Sequence, residues 1–201
     1  MKKILLILTI TIIVLSLNRC QSFTQESLHP KYMIEHALST CEDTFFDKFH
    51  INKAAAKYEN TNEGRLYYLS EECKINEVVN SIRVEFQNER WMQTTYEAIF
   101  DGKDYLKDAY DYLYSCDKTL CTSYGNPLKY GIENTTFLEQ YPTFESFSES
   151  FNGKVIANVG DVYEINTDCV LSITLWADAS NRDNQTGIVL LEVYRYQDRE
   201  I

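Results

Sequence analysis

The hydrophobic period of this chain changes along its length, and that change limits its fold more than any other feature. From Val78 to Phe86 (VVNSIRVEF) the pattern alternates, placing Ile82, Val84 and Phe86 on one face. From Lys103 to Tyr124 apolar residues recur every three or four positions, with Leu106, Ala109, Tyr110, Leu113, Cys116 and Leu120 on one stripe. Alternation suits a half-buried strand and the second spacing an amphipathic helix. A chain containing both must lay helix against sheet to bury the two apolar faces.

The flanking segments extend this reading. Arg65–Ser70 and Trp91–Phe100 read as strands by their aromatic content, with a turn at Gln87–Glu89, so three strands form a meander. Ile34, Ala37, Leu38, Cys41, Phe45 and Phe49 predict one helix over Pro30–Phe49, with Pro30 in its first turn. Ile51–Glu63 fits either a continuation of that helix or a loop. Gly125-Asn126-Pro127 ends the central helix, because glycine accepts a left-handed cap and proline cannot continue the ladder. Thr143–Phe151 suggests a short helix. Lys154–Ile165, Val170–Trp176 and Gly187–Tyr196 read as strands, and the polar run Asp178–Thr186 as a hairpin loop. The expected fold is α+β: N-terminal helix, antiparallel β meander, central helix and C-terminal β-hairpin, in a single compact domain over residues 21–201.

Residues 1–20 predict a signal peptide. Lys2 and Lys3 supply its positive end, and the fourteen residues from Ile4 to Leu17 form an uncharged apolar run. That run is shorter than the roughly 20 residues of a permanent span. Leu17-Asn18-Arg19-Cys20 resembles the lipobox of bacterial lipoproteins, which makes Cys20 a lipidation candidate, although Arg19 departs from the small residue expected there. Ordinary cleavage near Cys20 or Ser22 is the competing reading. Similarly, Tyr124-Gly125-x-Pro127 resembles a helix ending of uncharacterised bacterial envelope proteins, and this likeness implies no activity. The expectation is an exported protein of the periplasm or cell envelope, in contact with a membrane only through a lipid on Cys20.

Lys2, Lys3 and Arg19 all lie in that leader, so a chain lacking it is more acidic still than the overall −11. Such a field repels phosphates and excludes nucleic acid as a partner, while favouring a basic protein. In an oxidising compartment cysteines tend to pair. Cys116 and Cys121 are the first candidate disulfide, placed where a helix end could turn back, and Cys41 and Cys73 are the further candidates.

Motifs for chemistry are sparse. The seven glycines form neither a G-x-G-x-x-G loop nor a G-x-x-x-x-G-K-[ST] cradle, and G-x-S-x-G and H-E-x-x-H are missing too. His29, His36 and His50 have no metal-ligand spacing, and His36 lies five residues from Cys41, off its helical face. Glu71 and Glu72 would point to opposite faces of a strand end. In the loop after Asp178, Asn181, Asp183, Gln185 and Glu192 approximate calcium-ligand spacing, but Thr186 stands where a calcium loop needs glycine. No catalytic residue, cofactor or metal is assigned. Asp101, Asp104, Asp108 and Asp111 recur at helix-neighbour spacing and form a candidate stripe for a basic partner; the competing reading is a solvated face.

The chain also carries 15 tyrosines and 10 phenylalanines, and tyrosine serves interfaces as well as sheet packing. The leading functional expectation is a non-enzymatic, inhibitor- or immunity-like binding module with an acidic, tyrosine-rich surface. A structural or accessory lipoprotein and an exported enzyme with dispersed catalytic residues are the alternatives.

Overall fold

A computed structural model describes residues 28–69, 78–128, 135–151, 155–178 and 186–196. The leader with Cys20, the pair Glu71 and Glu72, Cys73 and the hairpin-loop residues 179–185 lie outside the described residues. Seven strands, β1 (Lys57–Asn60), β2 (Gly64–Tyr68), β3 (Val79–Gln87), β4 (Arg90–Asp101), β5 (Val155–Asn166), β6 (Cys169–Asp178) and β7 (Thr186–Arg195), form one antiparallel sheet. Its order is β1-β2-β3-β4-β7-β6-β5. Helices α1 (Pro30–His36), α2 (Glu42–Lys48), α3 (Tyr105–Tyr124), α4 (Phe137–Gln140) and α5 (Phe144–Phe151) complete the α+β domain. None of the described helices is long and apolar enough to cross a membrane.

The meander and the C-terminal strands join through β4 and β7, which pair from Gln93↔Tyr194 to Asp101↔Thr186. Alternation then fixes one core face across the whole sheet. Ile82, Val84 and Phe86 of β3, Val189 and Val193 of β7, and Leu171, Ile173 and Leu175 of β6 are all buried. The turn between β3 and β4 has positive φ at Asn88 (48°) and Glu89 (64°), the sign that two-residue hairpin turns require.

Helix α3 lies across β4, β7, β6 and β5. Its buried stripe is Tyr105, Ala109, Tyr110, Leu113 and Asp117. A Cβ on Gly187 would stand 2.9 Å from the Ala109 Cβ, so the absent side chain is what allows the helix to approach β7. Aromatic rings fill both ends of this layer. Phe45, Phe46, Tyr67 and Phe86 interlock beneath α2, and Tyr110, Phe137, Tyr141 and Phe147 interlock between α3, α4 and α5. Tyr67, Tyr96, Tyr105, Tyr110, Tyr141 and Tyr163 are all buried, so much of the tyrosine content lies inside.

The N-terminal region departs from its expected single helix. The helix breaks at Ala37–Ser39, a 3-10 turn, and Thr40 continues in extended conformation. Thr40 donates its hydroxyl to the Ala37 carbonyl (2.6 Å), and the Trp91 N–H reaches the Thr40 carbonyl at 3.4 Å. Arg195 donates to the Leu38 carbonyl at 2.6 Å. These bonds from distant strands, together with the local pull of a threonine hydroxyl, outweigh the helical spacing. Strand β1 likewise replaces the helix extension or loop expected within Ile51–Glu63, by pairing with β2 from Lys57↔Tyr68 to Asn60↔Arg65.

Candidate functional site

All the described helices that pack on the sheet do so on its core face, so the alternate residues form an open face. Sheet register brings together residues far apart in sequence. One row across three strands is Ile99, Ile188 and Trp176, and another is Arg83, Thr95, Glu192 and Ser172. Ile99 and Trp176 are among the most exposed large apolar side chains, at 41% and 37%.

Above that apolar row a polar network spans β3, β4, β7 and β6. Gln93 donates to Glu192 Oε1 at 2.7 Å, and the Thr95 and Ser172 hydroxyls reach the same carboxylate at 3.4 Å each. Ser81 donates to Glu97 at 2.7 Å, Arg83 approaches Glu97 at 3.9 Å, and Gln87 donates to Glu85 at 2.9 Å. Leu66, Arg83, Glu85, Gln93, Thr95 and Glu192 line a groove of about 140 Å³. Arg83 is the cation of this network: it approaches Glu97, while Glu85 and Glu192 line the groove beside it. No histidine or cysteine lies among these residues; the hydroxyls of Ser81, Thr95 and Ser172 are engaged with the carboxylates.

Two other clusters carry perturbed chemistry. Buried Glu42, at the start of α2, accepts from Arg65 (2.6 Å), Tyr67 (2.6 Å) and Lys53 (3.1 Å). Burial pushes its pKa up, but the bonds from Tyr67, Lys53 and Arg65 outweigh burial and leave it lowered. Between α3 and β5, Asp117 and Asp161 face one another inside the core, 0% and 6% exposed. Tyr163 donates to Asp117 Oδ1 at 2.6 Å, and the Phe137 N–H bonds both Asp161 oxygens at 3.1 and 3.0 Å. Burial, reinforced by the Asp117 charge, pushes Asp161 up to about 7. Asp117 Oδ2 has no other donor, and a proton held by Asp161 supplies one. This pair belongs to the core and does not line the groove.

Of the residues expected from sequence, Asp101 ends β4, Asp104 precedes α3, and Asp108 and Asp111 lie on α3. All four are exposed, and Asp111 pairs with Lys107 one turn away. Glu192 lies within β7 on the open face. Cys41, Cys116, Cys121 and Cys169 are free thiols. Cys116 and Cys121, the first expected pair, are unbridged in the structure: α3 continues through both residues and sets them about 140° apart around its axis. Cys41 begins α2, while Cys73, its fellow candidate, lies outside the described residues. Among the described residues, no three His, Cys, Asp or Glu side chains gather to hold a metal ion.

The thiols differ in reactivity. Cys41 is exposed and its pKa is lowered by the Thr44 hydroxyl, whereas burial raises Cys116 and pushes Cys169 up to about 11. Reaction requires an accessible thiolate. Iodoacetamide at pH 7 should therefore modify Cys41 at least about tenfold faster than Cys169, as followed by peptide mass spectrometry.

The open-face cluster was missed because Glu85, Glu97 and Glu192 each look like ordinary outward positions of separate strands. The Asp117–Asp161 pair did leave a signal. Asp117 continues the apolar α3 stripe four residues after Leu113, and Asp161 alternates in phase with buried Tyr163. Acids in apolar phase mark buried carboxyls. No protein-family model, curated protein or solved structure matches this chain.

Proposed function

We propose that this chain is a binding module of the cell envelope, without catalytic activity, whose open sheet face receives a basic protein partner. The observation that carries this reading is the open-face groove lined by Arg83, Glu85 and Glu192, with Glu97 beside Arg83 and the apolar row Ile99–Ile188–Trp176 further along the same face. A lysine or arginine of the partner supplies the missing cation. The apolar row supplies the dry contact that excludes water around it. The acidic chain speeds encounter with such a surface. Export through residues 1–20 is part of the same proposal, because it sets which partners the face meets.

The test is capture of envelope and culture-medium proteins on the immobilised mature chain at low salt, alongside the variants Glu97→Lys and Glu192→Lys. A saturable basic protein that binds the wild type and is released by about 0.5 M salt is expected. Each reversal should weaken it by about tenfold or more, the cost of replacing an attractive charge with a repulsive one. Absence of a saturable partner, or equal binding by folded charge-reversal variants, overturns the proposal.

A further inference from the structure

On the opposite face of the sheet, α1 and α3 leave part of the core uncovered over a recess of about 440 Å³. That size falls within the roughly 300–1,000 Å³ of small-molecule sites. Its floor is Val79, Ala98, Leu171 and Val189, from four different strands and all buried, so the space is a recess of the core. Cys116 and Leu120, one turn apart on α3, form a wall. Interiors are otherwise close-packed, and a recess with an apolar floor and a few polar groups at its rim suits an amphiphilic guest.

The rim has a distinct charge. His29 and Lys31, both exposed, border the recess where α1 begins. Glu35, one turn further on, sits 3.9 Å from His36. Among the described residues Lys31 has no ion-pair partner, so a positive group stands at the mouth of an apolar recess in a strongly acidic chain. We infer that the recess binds a single-chain anionic amphiphile of the fatty-carboxylate class, with its tail on the Ala98–Val189 floor and its head beside Lys31. The hydroxyls of Thr119 and Ser123 on α3 also border the space and offer hydrogen bonds to the head.

Cys116 provides the readout, because a tail in the recess covers its thiol. The probe is dodecanoate below its micelle concentration, with dodecyltrimethylammonium and hexanoate as comparison arms. Alkylation by N-ethylmaleimide is followed at Cys116, with Cys41 as internal reference. Dodecanoate should slow modification of Cys116 about tenfold or more at saturation, an occupancy effect, and leave Cys41 unchanged. The cationic and short-chain arms should not. Lys31→Glu should raise the dodecanoate concentration required by about tenfold, the worth of one charge-assisted contact. Ala98→Leu should abolish protection by filling the floor, and Leu120→Phe serves the same purpose if that variant does not fold. The inference fails if dodecanoate gives no protection, if the cationic detergent protects equally, or if folded filling variants are still protected. It also fails if Cys116 is fully protected before any probe is added. The groove lies on the other face, so partner capture can fail without touching this result.

Discussion

Asp161→Asn should make the protein more stable at pH 8, by about 2–4 kcal/mol, and remove most of its loss of stability between pH 4 and pH 7. In the wild type Asp161 is pushed up to about 7 by burial and the Asp117 charge. The unfolded chain releases this proton near pH 3.9, while the folded chain holds it to about 7, so the native state binds more protons in between. Stability is therefore fully present below the unfolded value and is lost as pH rises through that window. Asparagine keeps an oxygen for the Phe137 N–H and offers an amide N–H to Asp117 Oδ2, which lacks a donor when the pair is fully ionised. Glu42 has the opposite sign. Its lowered pKa gives stability that is present above the unfolded value and lost as pH falls through the folded one. Urea unfolding of wild type and variant from pH 3 to pH 9 measures both limbs. The same slope between pH 4 and pH 7 in the two proteins would show that Asp161 does not hold the proton.

The two tryptophans should separate folding from binding. Trp91 is 0% exposed at the start of β4 and donates from its indole to Thr94 Oγ1 at 2.9 Å. Its backbone also anchors the N-terminal region, through its N–H to the Thr40 carbonyl and through Arg195 to its own carbonyl. Trp91→Ala removes a large ring from a packed core, so a loss of about 3–5 kcal/mol is expected, enough to unfold a marginal domain. Trp176 lies on the open face, and Trp176→Ala should change stability by no more than about 0.5 kcal/mol. It should nevertheless weaken the partner by about tenfold, since exposed aromatics flanking a polar pocket carry much of an interface's energy. Denaturant midpoints and acrylamide quenching of each single-tryptophan variant check the contrast. If Trp176→Ala leaves partner binding intact, the apolar row is not part of the interface.

The elements with strong local periods were legible in the sequence. Alternation marked β3, three-and-four spacing marked α3, and Gly125-Asn126-Pro127 marked where α3 stops, because steric and hydrogen-bonding preferences of neighbouring residues fix these features. The α+β class followed, since both apolar faces needed covering. The N-terminal helix was misread because its period continues through Thr40 while its backbone bonds go to β4 and β7. Strand β1 is not legible in the sequence, because its four residues are all exposed and carry no alternating burial.

The candidate sites depended on distance in sequence. Gln93 and Glu192 meet only because β4 pairs with β7 across nearly a hundred intervening residues, and no local pattern states that register. Asp117 and Asp161 become a proton-sharing pair only when α3 lies over β5 and removes both carboxyls from water. Sequence alone determined which faces are apolar and hence the fold class. Tertiary structure decided which strands adjoin, and so which charges share a groove and which share a proton, because those depend on long-range pairing and burial.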